Sequence, residues 1–111
     1  MKGCGVQMNT YKNETELTKS IRATLNVLGV WHWKHFGGPL AKKGAADILG
    51  IWEGRFLAIE VKMPKGKISE HQQKFIDDVN RCGGIGFFAR SVDDVIDTLG
   101  VRDRFLFRRQ K

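Results

Sequence analysis

Two carboxylates and an amine stand at a spacing that suits phosphodiester chemistry. Asp47 is followed thirteen residues later by Glu60, with Lys62 two residues further on. Because side chains alternate along a β-strand, Glu60 and Lys62 would point to one face, and Ile59 and Val61 to the other. A charged pair on one face is costly unless that face opens on water, a metal or a substrate. The pattern therefore predicts an open, charged face on this strand.

These three residues supply what a hydrolytic site needs. Asp47 begins one predicted strand of a hairpin and can lie beside Glu60 on the other. Two adjacent carboxylates repel each other, and oxygen ligands with room for water and phosphate suit Mg²⁺ or Mn²⁺. Such an ion can polarise a phosphoryl oxygen and lower the pKa of a bound water. Lys62 can stabilise transition-state charge or position the attacking water. The alternative, which the ExK triplet alone favours, is a cross-strand set of salt bridges.

Hydrophobic periodicity and turn residues predict the elements that must position these groups. The expected order is α-β-β-β-α-β-α, an α/β domain with a central mixed sheet of about four strands flanked by helices. Residues 1–12 are expected to be a flexible lead-in, and 13–111 a single domain with a basic C-terminal tail. The predicted elements are a helix capped by Asn13 and ended by Gly29, strands at 30–36, 46–52 and 56–63, a helix from Ser69 to about Arg81, a strand at 85–89, a helix from Ser91 to Gly100, and a last strand or interface segment at 101–107.

Composition indicates a small domain with a polyanionic partner. The 111 residues carry 19 Lys and Arg against 12 Asp and Glu, a net charge of +7. Nucleic acid is the usual partner of such a domain, although many small proteins are basic without one. The candidate DNA contacts are Lys42 and Lys43, Lys65 and Lys67, and the tail at 102–111. Short apolar runs, the absence of a leader and two unpaired cysteines favour a protein with no membrane contact in the cytoplasm of a bacterial or phage-infected host cell. No small-molecule cofactor is expected.

A family resemblance rests on three stretches of the chain. These are Gly44–Asp47, the run GRFLAIEVKMPKGKISEHQQKF at 54–75, and the double glycine with a short strand at 83–89. Together they resemble the VRR-Nuc family of PD-(D/E)xK nucleases, over about residues 14–96. The superfamily motif has Pro before its Asp; Ala46 stands there, and the metal ligand itself is intact.

The resemblance implies a restriction-endonuclease-like core with Asp47 and Glu60 as metal ligands and Lys62 as the catalytic lysine. The stand-alone, phage-type members of the family are structure-specific endonucleases that resemble Holliday-junction resolvases and act as homodimers. The family also carries a glutamate early in its first helix. Glu14 shares a stripe with the predicted core positions of that helix and is our choice as a third ligand. Glu16 is the alternative, although a capping box with Asn13 accounts for it.

Gln72 belongs to a Ser-x-x-Gln pattern that has two interpretations. By the family resemblance its side chain faces the active centre. By helix chemistry it completes a capping box with Ser69. Both can hold at different times. His32 and His35 lack the neighbours of a zinc site, so packing or DNA contact is expected; tryptophans 31 and 33 are expected in the core or a dimer interface.

The sequence thus predicts a divalent-metal-dependent DNA endonuclease that acts on branched DNA such as Holliday junctions. One alternative is a non-catalytic nucleic-acid-binding module, although such a module has no need of clustered carboxylates that repel phosphate. Another is a nuclease of the same superfamily that acts on flaps, nicks or restriction-type sites. A restriction enzyme would need a target-recognition element, for which 111 residues leave no space.

Overall fold

The computed structural model describes residues 11–37 and 41–101, in which helices and strands follow the predicted order. Residues 1–10 of the predicted lead-in, the basic tail at 102–111 and all but the first residue of the expected last strand lie outside the described residues. No helix in the described ranges is long and apolar enough to cross a membrane. The elements are α1 (Glu14–Leu28), β1 (Trp31–Lys34), β2 (Ile48–Trp52), β3 (Arg55–Val61), α2 (Glu70–Arg81), β4 (Ile85–Ala89) and α3 (Val92–Leu99).

The helix ends follow from local hydrogen bonding. The Oδ1 atom of Asn13 accepts from the backbone N–H of Glu16 at 2.9 Å and so satisfies one of the free donors at the start of α1. Gly29 ends that helix with φ 76°, a left-handed conformation that favours glycine. Ser69 and Ser91 cap α2 and α3 in the same way as Asn13 caps α1. The predicted helix boundaries are confirmed.

The four strands of the described residues form one mixed sheet in the order β1-β2-β3-β4. The first three are antiparallel, and β4 runs parallel to β3 after the crossover through α2. The β2–β3 hairpin turns at Glu53 and Gly54, whose positive φ angles of 50° and 81° match the two-residue turns that fit strand twist. Each of the first three strands is shorter than predicted, although single backbone bonds continue two of the ladders: His35 N donates to the Asp47 carbonyl, and Lys62 N to the Ala89 carbonyl.

The two faces of the sheet are covered by different helices. Helices α1 and α3 pack on one face, where Leu57, Ile59 and Val61 of β3 are fully buried. Helix α2 packs on the other face, against Ala58 and its neighbours. Burial of a Leu, Ile or Val side chain contributes about 1.5–3 kcal/mol, so the apolar positions hold the register of β3 firmly. That register sends the side chain of Glu60 to the α2 face.

Candidate active site

The register of the β2–β3 hairpin brings Asp47 beside Glu60. Ile48 of β2 pairs with Ile59 of β3. Asp47, the residue before Ile48, therefore stands opposite Glu60, the residue after Ile59. The Oδ2 atom of Asp47 accepts a hydrogen bond from the backbone N–H of Val61 at 3.0 Å. This bond holds the Asp47 carboxylate over the end of β3, where the Glu60 side chain emerges.

Glu60 is buried, with 4% of its surface exposed. Burial, the neighbouring charge of Asp47 and a hydrogen bond with the Asp47 carboxyl group raise the pKa of Glu60 to about 8. The charge of Lys62 lowers that pKa, and the charge of Glu14 raises it. The pair therefore holds a proton near neutral pH when no cation is bound. The burial of Glu60 differs from the open face predicted from the alternation of β3, because the start of α2 covers this end of the strand.

Gln72 is the residue of α2 that reaches Glu60. Its Nε2 atom donates to Oε2 of Glu60 at 3.0 Å. Its Oε1 atom accepts from the backbone N–H of Ser69 at 3.0 Å, and Ser69 Oγ accepts from Gln72 N in return. The capping box and the contact with the candidate centre therefore exist at the same time, and one amide serves both.

The connector before Asp47, residues 41–46, lies against the first turn of α2. Gly44 has φ 76°, and a Cβ at this position would overlap the His71 carbonyl oxygen. Only glycine combines this conformation with such a close backbone approach. The Gly-x-x-Asp pattern thus has a structural cause: Gly44 lets the connector dock on α2 and enter β2 with Asp47 facing Glu60.

Lys62 follows β3, and Arg90 holds the loop after it. The Nη1 atom of Arg90 donates to three carbonyl oxygens, those of Met63 at 2.6 Å, Pro64 at 3.0 Å and Gly66 at 3.1 Å. The half-buried Lys62 is thereby fixed at the base of an ordered loop. The sequence does not single out Arg90, because a lone arginine after a strand belongs to no motif.

The basic candidates lie on two loops near the carboxylates. Lys65 and Lys67 are exposed on the loop that Arg90 holds. Lys42 and Lys43 are exposed on the connector. Both connector lysines line a cavity of about 570 Å³ that also contains Asp47. The cavity places two cationic side chains next to one of the candidate carboxylates.

The two glutamates of α1 differ in position. The Oε1 atom of Glu16 accepts from the backbone N–H of Lys12 at 3.0 Å, which ties it to the helix start. Glu14 is exposed at the first residue of α1 and acts on Glu60 through its charge. Within 11–37 and 41–101, no three His, Cys, Asp or Glu side chains converge into a group that could hold a metal. The structure thus joins Asp47 to Glu60 but leaves Glu14 apart from them.

The donor set fits a hard divalent cation in part. Two carboxyl groups that share a hydrogen bond and a proton mark a place where a cation can replace the proton. Asp47 lines the cavity, which has room for water and phosphate ligands of the kind Mg²⁺ retains, whereas Glu60 is buried. Asp47 and Glu60 are the residues that would hold such an ion.

Comparison with known proteins assigns the chain to a protein family. A sequence model of the VRR-NUC domain matches residues 9–93, which include every candidate residue named above except the basic tail at 102–111. The chain belongs to the VRR-NUC family of nucleases. The family resemblance and the mixed four-stranded α/β fold predicted from the sequence are confirmed.

One relative gives a more specific comparison. The Holliday junction resolvase RecU of Mycoplasmopsis pulmonis (strain UAB CTIP) is 34% identical over 61 residues, which are 50% of this chain and 39% of that protein. The aligned segment therefore spans well under half the length of the relative. No solved structure matches the chain.

Proposed function

We propose that this protein is a divalent-metal-dependent endonuclease that hydrolyses phosphodiester bonds of branched DNA. The observation that carries the proposal is the position of Asp47 beside the buried carboxyl group of Glu60. Burial and the neighbouring charge of Asp47 together raise the pKa of Glu60 to about 8. A structural ion pair would lower the pKa of a glutamate, whereas paired acids raise it. A glutamate with a raised pKa beside a second carboxylate is typical of functional sites.

The residues of the site take separate roles in this proposal. Asp47 and Glu60 hold Mg²⁺ or Mn²⁺, with Glu14 as a further ligand once its side chain turns toward the pair. The cation supplies Lewis-acid stabilisation of the negative charge that develops on the phosphoryl group. Lys62 adds a positive charge at the same place and orients the attacking water. Gln72 keeps the Glu60 carboxylate in position through its Nε2–H donor.

The exposed lysines of the chain and its similarity to a junction resolvase support DNA as the substrate. The exposed lysines 42, 43, 65 and 67 lie on the two loops beside the carboxylates, where they can contact backbone phosphates. The relative named above acts on Holliday junctions by its name. Branched DNA is therefore the substrate we propose, with flapped or nicked DNA as the nearest alternatives within the same family. The site of action we propose is the cytoplasm.

The protein is proposed to act as a homodimer through an apolar surface on its sheet. Trp31 of the edge strand pairs with Ile51, and Ile51 pairs with Phe56, so the three form one row. They are 67%, 42% and 40% exposed. A second copy of the chain is the occupant we propose, because the row carries no charge to bind phosphate and an edge strand can pair with its own copy about a two-fold axis.

A substitution in this row tests the dimer. Trp31→Lys should convert the protein from a dimer to a monomer in sedimentation-velocity runs at micromolar concentration. Lys19→Ala, an exposed change on α1, should leave the dimer intact. A wild-type protein that sediments only as a monomer would defeat the dimer proposal.

The activity itself is tested with purified protein and labelled DNA. Linear, flapped and four-way substrates are incubated with Mg²⁺, with Mn²⁺ or with EDTA, and the products are separated on denaturing gels. The proposal predicts cleavage of the four-way substrate with either cation and none with EDTA. Binding without cleavage under every condition would favour the non-catalytic module instead.

A further inference from the structure

His35 stands next to the candidate carboxylates on the same face of the sheet. Trp33 pairs with Leu49 across β1 and β2, and two residues further on His35 N donates to the Asp47 carbonyl oxygen at 2.7 Å. Residues opposite each other in an antiparallel pair send their side chains to the same face. His35, Asp47 and Glu60 therefore form one cross-strand row.

The imidazole of His35 has an unused hydrogen-bonding atom. Its Nε2 has less than 1 Å² of accessible surface and no hydrogen-bond partner within the described part of the chain. His32, three residues earlier, differs in this respect: its Nδ1 lies 2.9 Å from the Val30 carbonyl oxygen, and its Nε2 lies 3.4 Å from Nε of Arg22. A buried polar atom without a partner in a native fold calls for an explanation, and a ligand is one.

The surroundings of His35 select an anionic ligand. His35 lines the cavity of about 570 Å³ together with Lys42, Lys43 and Asp47. Two ammonium groups and an imidazole N–H are donors to phosphate oxygen. A metal is the poorer fit, because no three ligating side chains converge among residues 11–37 and 41–101.

We propose that His35 is a substrate-binding residue, whose Nε2–H donates to a phosphate oxygen of the DNA strand that enters the cavity beside Asp47. The inference rests on the proposed function, since it assigns one contact within the same site. The nitrogen has little access in the free chain, so the contact forms with a local side-chain adjustment when DNA binds. Lys42 and Lys43 hold the same stretch of backbone from the connector.

Binding of a labelled four-way junction in EDTA, followed by fluorescence anisotropy, gives the first test. His35→Ala should weaken binding by about tenfold, the usual effect of losing one hydrogen bond to a charged group. His35→Gln keeps an amide donor close to the position of Nε2 and should bind within about threefold of wild type, as expected for one retained neutral hydrogen bond. His32→Gln, on the same strand but with a partnered imidazole, is the matched control and should bind as wild type does.

A second readout separates substrate contact from a structural role. Single phosphates near the cut are replaced in turn by neutral methylphosphonates, and the loss of affinity is measured for each position. Wild type should show a penalty at the phosphate that His35 contacts, and His35→Ala should show none at that position while keeping the penalties elsewhere. A merely structural histidine would lower affinity without erasing the penalty at one position.

The outcomes distinguish this inference from the proposed function. If the wild type cleaves the junction but His35→Ala has the same affinity and the same penalties, His35 is not a substrate-binding residue, and the nuclease proposal stands. If the wild type neither binds nor cleaves any branched DNA, the proposed function fails and the inference fails with it.

Discussion

Gln72 donates from Nε2 to Oε2 of Glu60 at 3.0 Å while its Oε1 accepts from the backbone N–H of Ser69. The start of α2 and the candidate carboxylate pair are therefore connected through one side chain. Anything that shifts the first turn of the helix also moves a hydrogen-bond donor of Glu60. The cap of α2 thus becomes part of the candidate site.

Gln72→Glu separates the two roles of this side chain. A glutamate at this position still completes the capping box, but it replaces the donor to Glu60 by a third carboxylate. The melting temperature should change little, while junction cleavage should fall by about 10–100-fold, because a hydrogen bond to a charged group contributes about 1.5–3 kcal/mol. Ser69→Ala is the complementary variant: it weakens the cap but keeps the amide of Gln72, so cleavage should fall less than in Gln72→Glu. An active Gln72→Glu enzyme would restrict Gln72 to capping.

The raised pKa of Glu60 predicts a pH-dependent stability of the metal-free protein. Between the ordinary value of 4.5 and about 8, the folded chain keeps a proton on Glu60 that the unfolded chain has released. The native state then binds more protons, so the free energy of unfolding falls as pH rises through this window. The stabilisation that this bound proton provides is complete below pH 4.5 and is lost as the pH rises through about 8. Urea unfolding in EDTA from pH 5 to 9 measures it.

Glu60→Gln is the control for this titration. The amide is isosteric with the protonated acid and cannot ionise, so the variant should lose the fall in stability that the wild type shows. It should also be more stable than wild type at pH 8.5 in EDTA. Identical pH profiles for the two proteins would show that Glu60 is not the titrating group.

Lys62→Ala should strongly reduce the rate of junction cleavage and leave binding in EDTA largely intact. Its ammonium group acts on the charge of the reacting phosphoryl group, and loss of such a group costs roughly 10²–10³-fold in rate. Lys65→Ala, three residues on and exposed, should show a small loss of affinity and little change in the rate of the bound complex. Cleavage by Lys62→Ala at the wild-type rate would remove this lysine from the mechanism.

Gly44→Ala tests how the connector positions Asp47. Gly29 and Gly44 both have φ 76°, but a Cβ at Gly29 would meet nothing within 4 Å, whereas at Gly44 it would overlap the His71 backbone. Gly29→Ala should therefore cost only the left-handed strain, about 1–2 kcal/mol. Gly44→Ala should cost more and should also lower cleavage, because the connector can no longer dock on α2. Equal effects of the two changes on unfolding and activity would argue against this role.

Local pattern predicts much of this structure. Period-two alternation in β3 assigns Ile59 and Val61 to one face and Glu60 to the other, and cap residues such as Asn13 and Gly29 mark the helix ends; these features depend on neighbours in sequence. The burial of Glu60 depends on where α2 packs on the sheet after the crossover from β3, and no local sequence pattern specifies that position. The resemblance points to Gln72, but its simultaneous use in the cap and at Glu60 needs the packed helix.

The cross-strand row of His35 and Asp47 could not be predicted from the sequence for a similar reason. Its recognition needs the β1–β2 register, and eleven residues of sequence separate His35 from Asp47. Arg90 is another such case, since its three carbonyl partners lie 24 to 27 residues earlier in the chain. Both the His35–Asp47 row and the Arg90 contacts depend on backbone segments that are distant in sequence.

Titration with Mn²⁺ followed by electron paramagnetic resonance tests the central claim most directly, namely that Asp47 and Glu60 together bind a divalent cation. Asp47→Asn is the variant of choice, because its Oδ1 can still accept from Val61 N while the negative charge is gone. The wild type should bind about one Mn²⁺ per chain at neutral pH, as a two-carboxylate site with water ligands does, and Asp47→Asn should show no saturable binding over the same range. Equal Mn²⁺ binding by both proteins, or none by the wild type, would contradict the account.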